Sequence, residues 1–325
     1  MKEKISVLGA GAFGCAIANL LADNGFNVYL WAYESELVFQ INVEHENKLY
    51  LPGFKLNENI FVTSDLKQVV QESKFIYQAV PVKFLRNILE QLKDFINKDQ
   101  VFISLSKGIE ELTLLLPTQI IESVLENKNK VFALSGPNFA HEIVEKKITA
   151  SVLAGFDEFY SLKIYNDLKN NYFKLETSKD ILGVQVGGAL KNVISLLVGM
   201  LTCYELGKNT ISYFITKAFD DASRLINFMG GQQETIYGLS GFGDLYLSST
   251  GPFGKNFMSG CQIGKLLQSA TFDKELFFKD KLLPEGLNTI VPLHELIVKS
   301  NLDLYYLDLA YKIIFEGHKF NLEQK

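Results

Sequence analysis

The sequence predicts an α/β protein in two parts: an N-terminal doubly wound, mostly parallel sheet over residues 1–178, and an all-helical domain over residues 179–325. Three observations predict it. The chain opens with a short apolar strand, a glycine turn and a helix. Strand and helix patterns then alternate to about Ser178, which implies a parallel sheet with right-handed crossovers. From Asp180 onward only helical periodicity remains.

The first strand covers Lys4 to Leu8, and Cys15 to Asn24 reads as a helix stopped by Gly25. Between them lies Gly9-Ala10-Gly11-Ala12-Phe13-Gly14, a G-x-G-x-x-G fingerprint in its required strand–turn–helix context. The first glycine makes the turn, the second leaves backbone open to a pyrophosphate, and the third lets helix and strand pack. The helix N-terminus adds free N–H groups. These residues predict a Rossmann-type domain that binds NAD or NADP.

The second strand, Asn27 to Trp31, ends where such folds hold the adenosine ribose. Trp31-Ala32-Tyr33-Glu34 contains no arginine, so no residue there suits the 2′-phosphate of NADP. Tyr33 is placed to stack on adenine. Glu34 has two readings, as a ribose ligand or as a solvated acid that begins the next helix. Asn47 to Gly53 is a turn signal.

Further strands are expected at Phe75 to Pro81, Val101 to Leu105, Val131 to Leu134, Ala150 to Leu153 and Tyr172 to Leu175, with a helix from Ala140 to Glu145. Ligands of parallel sheets bind beyond the carboxyl ends of the strands. Gly9 to Gly14, Lys107 and Gly136 to Ala140 are therefore expected on one rim.

In the second part, helices are expected over Asp180–Glu205, Thr210–Met229, a stretch after Asn256, and Leu304–Phe315. The first is unusual. Gly187 and Gly188 sit side by side in an apolar run, although each glycine costs about 1 kcal/mol against alanine in a helix. At helical spacing Gly188, Lys191, Asn192, Ser195 and Gly199 form one stripe. Either the stripe lets a ligand approach an amine and an amide, or it is a helix–helix contact with Lys191 reaching out to water. Gly238 to Leu245 reads as a glycine-rich loop ending in Asp244. Gly251 to Asn256, with Lys255 and Asn256 at a helix start, and Pro284-Glu285-Gly286 follow further on.

Composition narrows the function. The chain has 325 residues, 47% of them hydrophobic, and a net charge of -5, which argues against nucleic acid or an anionic membrane as the partner. Cys15, Cys203 and Cys261 form no CxxC, and four scattered histidines give no metal-ligand spacing. The expected location is cytoplasmic. Lys2 and Lys4 before an apolar stretch imitate a signal peptide, but Gly9, Gly11 and Gly14 interrupt its core. The apolar run Val193 to Cys203 is too short to span a bilayer, so no stable membrane insertion is expected.

Taken in order, Gly9 to Gly14, Ser106-Lys-Gly-Ile-Glu110, Ser135-Gly-Pro-Asn-Phe-Ala-His-Glu142, Gly187-Gly-Ala-Leu-Lys-Asn192, Gly241-Phe-Gly-Asp-Leu245, Lys255-Asn256 and Glu285-Gly286 resemble the bacterial-type NAD(P)-dependent glycerol-3-phosphate dehydrogenases. The resemblance covers almost the whole chain. It implies that Lys191 is the proton acceptor and that Asp244 assists it. It implies that Lys107 contacts both substrate and cofactor. Gly136, Asn138, Asp244, Gly254, Lys255 and Asn256 would line the glycerol phosphate site, and Gly9, Gly11, Ala12, Phe13, Gly14, Tyr33, Tyr50, Ala140, Lys255, Leu283 and Glu285 the cofactor site. A homodimer is expected by analogy.

One departure stands out. The family usually shows Ser-Arg-Asn where this chain has Gly254-Lys255-Asn256; lysine keeps the charge but loses the planar fork. The chemistry expected is hydride transfer between the nicotinamide and C2 of sn-glycerol 3-phosphate, giving dihydroxyacetone phosphate and serving glycerophospholipid synthesis. Lys191 would act as base once burial and a second cation, Lys107, lowered its proton affinity. Asp244 would orient Lys191 or a substrate hydroxyl, or else cap a helix or sit in a solvated loop. Two other readings are a hydroxy-acid dehydrogenase of the same plan and a non-catalytic cofactor-binding sensor.

Overall fold

The computed structural model describes residues 4–71, 73–250, 254–269, 271–279 and 283–319. Gly251-Pro252-Phe253 lie outside the described residues. The chain forms two compact units, residues 1–107 with 117–181, and residues 108–116 with 182–325. The single division expected at 178/179 differs from these units at 108–116 and, by three residues, at 179–181. Residues 108–116 join the second unit because Ile109, Leu114 and Leu116 are buried in its core.

Among the described residues the first unit holds ten strands: β1 (Lys4–Leu8), β2 (Asn27–Trp31), β3 (Glu46–Asn47), β4 (Leu51–Lys55), β5 (Ile60–Thr63), β6 (Phe75–Gln78), β7 (Val101–Ser104), β8 (Lys130–Ser135), β9 (Thr149–Ala154) and β10 (Phe173–Ser178). Eight form one sheet in the order β10-β9-β8-β7-β6-β1-β2-β5, and β3 and β4 form a separate hairpin. All neighbours in the sheet run parallel except β8 and β9. Its central strands β1, β6 and β7 are buried on both faces: Ile5, Val7, Phe75, Tyr77, Val101 and Ile103 lie on one, and Leu8, Ile76 and Phe102 on the other. The chain starts mid-sheet and returns to β6 on the far side of β1, so the order reverses there. The turns after β1, β6, β7 and β8 therefore share one edge. Helices α1 (Ala12–Asp23), α2 (Ser35–Glu44), α3 (Leu66–Val70), α4 (Val82–Leu92), α5 (Pro117–Val124), α6 (Ala140–Val144) and α7 (Glu158–Leu168) flank the sheet.

The second unit is helical: α8 (Ile181–Cys203), α9 (Lys208–Phe228), α10 (Asp244–Ser249), α11 (Lys255–Gln268), α12 (Lys274–Phe278), α13 (Glu285–Ser300) and α14 (Tyr305–Glu316). Two expectations are corrected here. Helix α8 is continuous through Gly187 and Gly188, so its apolar stretch is not too short to cross a bilayer. It passes that test on length and composition, yet 89% of its apolar window is buried inside the protein. The segment 238–245 is not a loop. Leu239–Gly243 forms a π-helical turn that runs into α10 at Asp244. This turn depends on Gly241, where a Cβ would collide with the Ile236 carbonyl. Helix α13 and strand β5 have no counterpart in the sequence reading. Pro292 interrupts the helical signal of α13, and β5 is a four-residue edge strand.

Candidate active site

In the first unit the three glycines do three different jobs. Gly9 has φ +111°, and a Cβ there would lie 3.0 Å from the Ala79 carbonyl oxygen. Gly11 has nothing within 4 Å of a Cβ position, so its backbone is open to a ligand. A Cβ on Gly14 would collide with the Gly9 carbonyl. Helix α1 starts after Gly11 with no side-chain cap and no acid in its first turn. Its first N–H groups, at Ala12, Phe13 and Gly14, are left for an anion. This arrangement fits a dinucleotide pyrophosphate.

The hairpin β3–β4 supports that turn. Asn47, fully buried, donates from Nδ2 to the Ala10 carbonyl at 2.8 Å and to Cys15 Sγ at 3.2 Å. Its Oδ1 accepts from the Tyr50 backbone N–H at 2.9 Å, and the Tyr50 hydroxyl donates to Glu34 Oε1 at 2.7 Å. Glu34 thus begins α2 from its N-cap position, partly exposed, with one carboxylate oxygen held by Tyr50. That bond, with partial burial, raises the Tyr50 phenol above its ordinary range. Burial pushes the Cys15 thiol up to about 12, so Cys15 is an inert packing group. Tyr33 is 80% exposed and projects from the end of β2.

On the same edge Lys107 follows β7. Its Nζ donates to the Gly136 carbonyl at 3.3 Å and to Asn138 Oδ1 at 3.4 Å. Asn138 is buried and donates to Ser151 Oγ at 2.8 Å. Gly136 has φ +147°, and a Cβ there would lie 2.8 Å from Ser151 Cα. Lys107, Gly136 and Asn138 are thereby brought together, with Ala140 opening α6 just beyond.

The second unit centres on Lys191. Its Nζ lies 3.0 Å from Asp244 Oδ1 and donates to Ser248 Oγ at 2.7 Å. Lys191 is 8% exposed and Asp244 1%. Burying either charge alone would be costly, and the pair satisfies both. The charged neighbour at Lys191 in this unit is thus an acid. Lys191 does not reach out to water, and Asp244 is no solvated loop acid. The small residues of α8 nevertheless face protein. A Cβ at Gly187 would lie 3.3 Å from the Ser240 carbonyl oxygen, and one at Gly199 would collide with the Phe257 carbonyl. Gly260 and Gly264 of α11 press against the backbone of Leu196 and Met200. The stripe is thus a helix–helix contact between α8 and α11, with Lys191 buried and paired rather than reaching out to water.

Around this pair the polar groups are tied down. Ser195 Oγ donates to the Ser248 carbonyl at 2.9 Å. Asn192 Nδ2 donates to Glu285 Oε2 at 3.2 Å, and Asn256 Nδ2 donates to Asn192 Oδ1 at 2.8 Å. Asn256 Oδ1 accepts from the Gly286 N–H at 2.8 Å. The Asn256 side chain is therefore a clamp between three segments. Lys255 is the exposed first residue of α11, whose start has no side-chain cap and no acid. Leu283 is half-buried two residues before α13, and its carbonyl accepts from Asn288 Nδ2 at 3.3 Å. Ser248 was missed by the sequence reading. Its spacing of four from Asp244 puts both on one face of α10, a signal that could have found it. Among the described residues no cluster of His, Cys, Asp or Glu suits a metal ion.

Comparison with known proteins decides the family. Residues 4–159 match the family model for the NAD-dependent glycerol-3-phosphate dehydrogenase N-terminus, and residues 180–322 match that for its C-terminus. A glycerol-3-phosphate dehydrogenase [NAD(P)+] of Bacillus licheniformis is 36% identical, over 97% of this chain and 91% of its own. The chain belongs to the NAD-dependent glycerol-3-phosphate dehydrogenase family. A relative of the same name from Carboxydothermus hydrogenoformans is 33% identical over 97% of this chain and 93% of its own. The crystal structure of glycerol-3-phosphate dehydrogenase from Coxiella burnetii superposes with a TM-score of 0.88 at 27% identity, covering 98% of this chain and 96% of that one. A D-mandelate dehydrogenase, at 16% identity and a TM-score of 0.65, shares the fold alone. The structure also gives a reason for the chain's departure from the family at 254. A Cβ on Gly254 would collide with the Ser248 carbonyl, so serine does not fit this backbone.

Proposed function

We propose that this glycerol-3-phosphate dehydrogenase reduces dihydroxyacetone phosphate to sn-glycerol 3-phosphate reversibly, with Lys191 exchanging the proton and NAD(H) or NADP(H) as cofactor. The observation that carries the reading is the buried Lys191–Asp244 pair, 3.0 Å apart, on a helix of a chain that also carries the dinucleotide turn.

When bound, the nicotinamide supplies or accepts the hydride at C2 of the substrate. The chain's own residues do the rest. The Gly9–Gly14 turn and the start of α1 would hold the pyrophosphate, with Tyr33, Tyr50 and Ala140 as further cofactor contacts of the first unit; in the second unit the resemblance implies Leu283 and Glu285 as cofactor contacts. In reduction the Lys191 ammonium gives a proton to the developing C2 alkoxide. In oxidation the Lys191 amine takes the C2 hydroxyl proton, which makes it the acceptor. Asp244 and Ser248 fix Nζ, and Asp244 balances its charge while the proton is present. Lys107, with Gly136 and Asn138, holds polar groups of the substrate. Lys255 and the N–H groups at the start of α11 suit the phosphate dianion. The burial of α8 supports a protein that does not insert stably in a membrane; the cytoplasmic location, the homodimer and the supply of glycerophospholipid synthesis are proposed by analogy with the family.

The test is oxidation of NADH or NADPH followed at 340 nm. Turnover with dihydroxyacetone phosphate and none with 2-oxo acids is expected. Turnover with 2-oxo acids alone would make it a hydroxy-acid dehydrogenase, and cofactor binding with no turnover would make it a sensor.

A further inference from the structure

We propose that two copies of the chain pair edge to edge through β10, antiparallel about Leu175, with Lys174 of each opposite the partner's Glu176. The inference gives a surface to the homodimer proposed above by analogy, and it does not depend on the reaction.

The backbone is the first argument. The eight-stranded sheet has two edges, β5 and β10. An edge strand turns every second N–H and C=O outward, toward water, a side chain or another strand. On β5 the outward residues are Ile60 and Val62, since the Asn59 and Thr63 carbonyls accept from the β2 side. The chain closes that edge itself. The Ile60 N–H donates to the Asn57 carbonyl at 3.1 Å. The Asn42 side chain accepts from the Val62 N–H at 2.9 Å and donates to the Val62 carbonyl at 2.8 Å, as a strand would.

On β10 the outward residues are Phe173, Leu175 and Thr177, since the Tyr172 and Ser178 carbonyls accept from the β9 side. Asn170 closes the first. Its Oδ1 accepts from the Phe173 N–H at 2.8 Å, and its own N–H donates to the Phe173 carbonyl at 3.2 Å. Among the described residues nothing in the chain bonds the outward N–H and C=O of Leu175 and Thr177.

Charge is the second argument, and it names the occupant. Lys174 and Glu176 are exposed, while Leu175 between them is half-buried against the core. A lysine on an edge ordinarily repels another strand. Here an acid two residues on makes the edge complementary to itself. In a two-fold antiparallel pair centred on Leu175, the two Leu175 residues exchange both backbone bonds. Residue 174 then faces residue 176 in the closer, non-hydrogen-bonded kind of pair, and it does so twice. Opposite charges directly across strands stabilise, and like charges destabilise. Centring the axis on Glu176 would set two carboxylates face to face, and centring it on Lys174 two ammonium groups. Both side chains are available for the pairing. Lys174 Nζ makes a long bond, 3.5 Å, to the Asn170 carbonyl. Glu176 has no bonded partner among the described residues.

The test is sedimentation velocity of the full chain over about 1–100 μM, a range suited to a small interface. The wild type is expected to dimerise. Lys174→Glu and Glu176→Lys each place like charges across the strands twice, and should weaken association about tenfold or more. Lys174→Glu/Glu176→Lys restores both pairs and should return to within about threefold of wild type. An equimolar mixture of the two single variants also restores both pairs and should associate as the wild type does. Leu175→Pro removes an outward N–H without breaking a bond to β9, and should abolish dimerisation. Circular dichroism confirms that each variant is folded. Turnover of dihydroxyacetone phosphate is followed separately at 340 nm, so loss of pairing and loss of the reaction are read independently. A wild type that stays monomeric throughout, a dimer indifferent to both single reversals, or a double variant no better than the singles would overturn the assignment.

Discussion

Gly11 of the first unit and three helix glycines of the second are used in opposite ways. In the first, Gly11 is kept bare so that backbone faces an open space, and a Cβ there would touch nothing within 4 Å. In the second, Gly199, Gly260 and Gly264 are kept bare so that two helices close on each other. The first use makes a binding surface from backbone alone. The second makes a packed interior in which Lys191 loses water and finds Asp244 and Ser248 instead. A site of the first kind is written in one short segment. A site of the second kind exists only after residues 187–199, 240–248 and 254–264 have assembled.

The largest effect that tests this contrast comes from the buried pair. Asp244→Ala leaves the Lys191 ammonium buried without its partner and should destabilise the protein by about 3–5 kcal/mol. Glu34→Ala, at the half-buried Tyr50 bond of the first unit, should cost about 1 kcal/mol. Urea denaturation of both variants measures this, and equal losses would dissolve the contrast.

That difference also marks what the sequence made legible. The strand ends, the fingerprint and the rim formed by Lys107, Gly136 and Asn138 were readable because each motif directly follows a strand of a parallel sheet. Lys191 stood out locally as an amine in a small-residue stripe and Asp244 as the acid of a glycine-rich segment, but their roles came only from family resemblance, since nothing local distinguishes a buried lysine from one reaching for water. The clamp made by Asn192, Asn256, Glu285 and Gly286 was not readable, because it joins positions up to 93 residues apart by single hydrogen bonds. Helix α13 was hidden by Pro292. The collision that excludes a serine at 254 depends on where the Ser248 carbonyl lies, a fact of the fold alone.

A smaller effect separates the two uses of glycine. Gly199→Ala should destabilise by about 2 kcal/mol despite alanine's better helix propensity, because the Cβ meets the Phe257 backbone. Gly11→Ala should leave stability within about 0.5 kcal/mol and weaken NADH binding. Thermal melts with NADH titrations would sharpen the comparison, and a destabilised Gly11→Ala that binds NADH normally would reverse it.

The smallest effect lies at the exposed start of α11. Lys255→Ala should weaken dihydroxyacetone phosphate by about 1.5 kcal/mol, the low end for a hydrogen bond to a charged group. Lys255→Arg should be tolerated, whereas Gly254→Ser/Lys255→Arg should be less stable because the serine Cβ has no room. Steady-state KM values and melting temperatures check this. An unchanged KM in Lys255→Ala would mean that the phosphate is held elsewhere.

The most direct test of the account is Lys191→Met, assayed at 340 nm with dihydroxyacetone phosphate while NADH binding is titrated separately. Turnover should fall by about 100-fold or more, and the NADH dissociation constant should stay within about twofold of wild type. Lys191→Met/Asp244→Asn, which removes the stranded acid, should be equally inactive and better folded. Wild-type turnover in either variant at every pH would contradict the claim that Lys191 carries the proton.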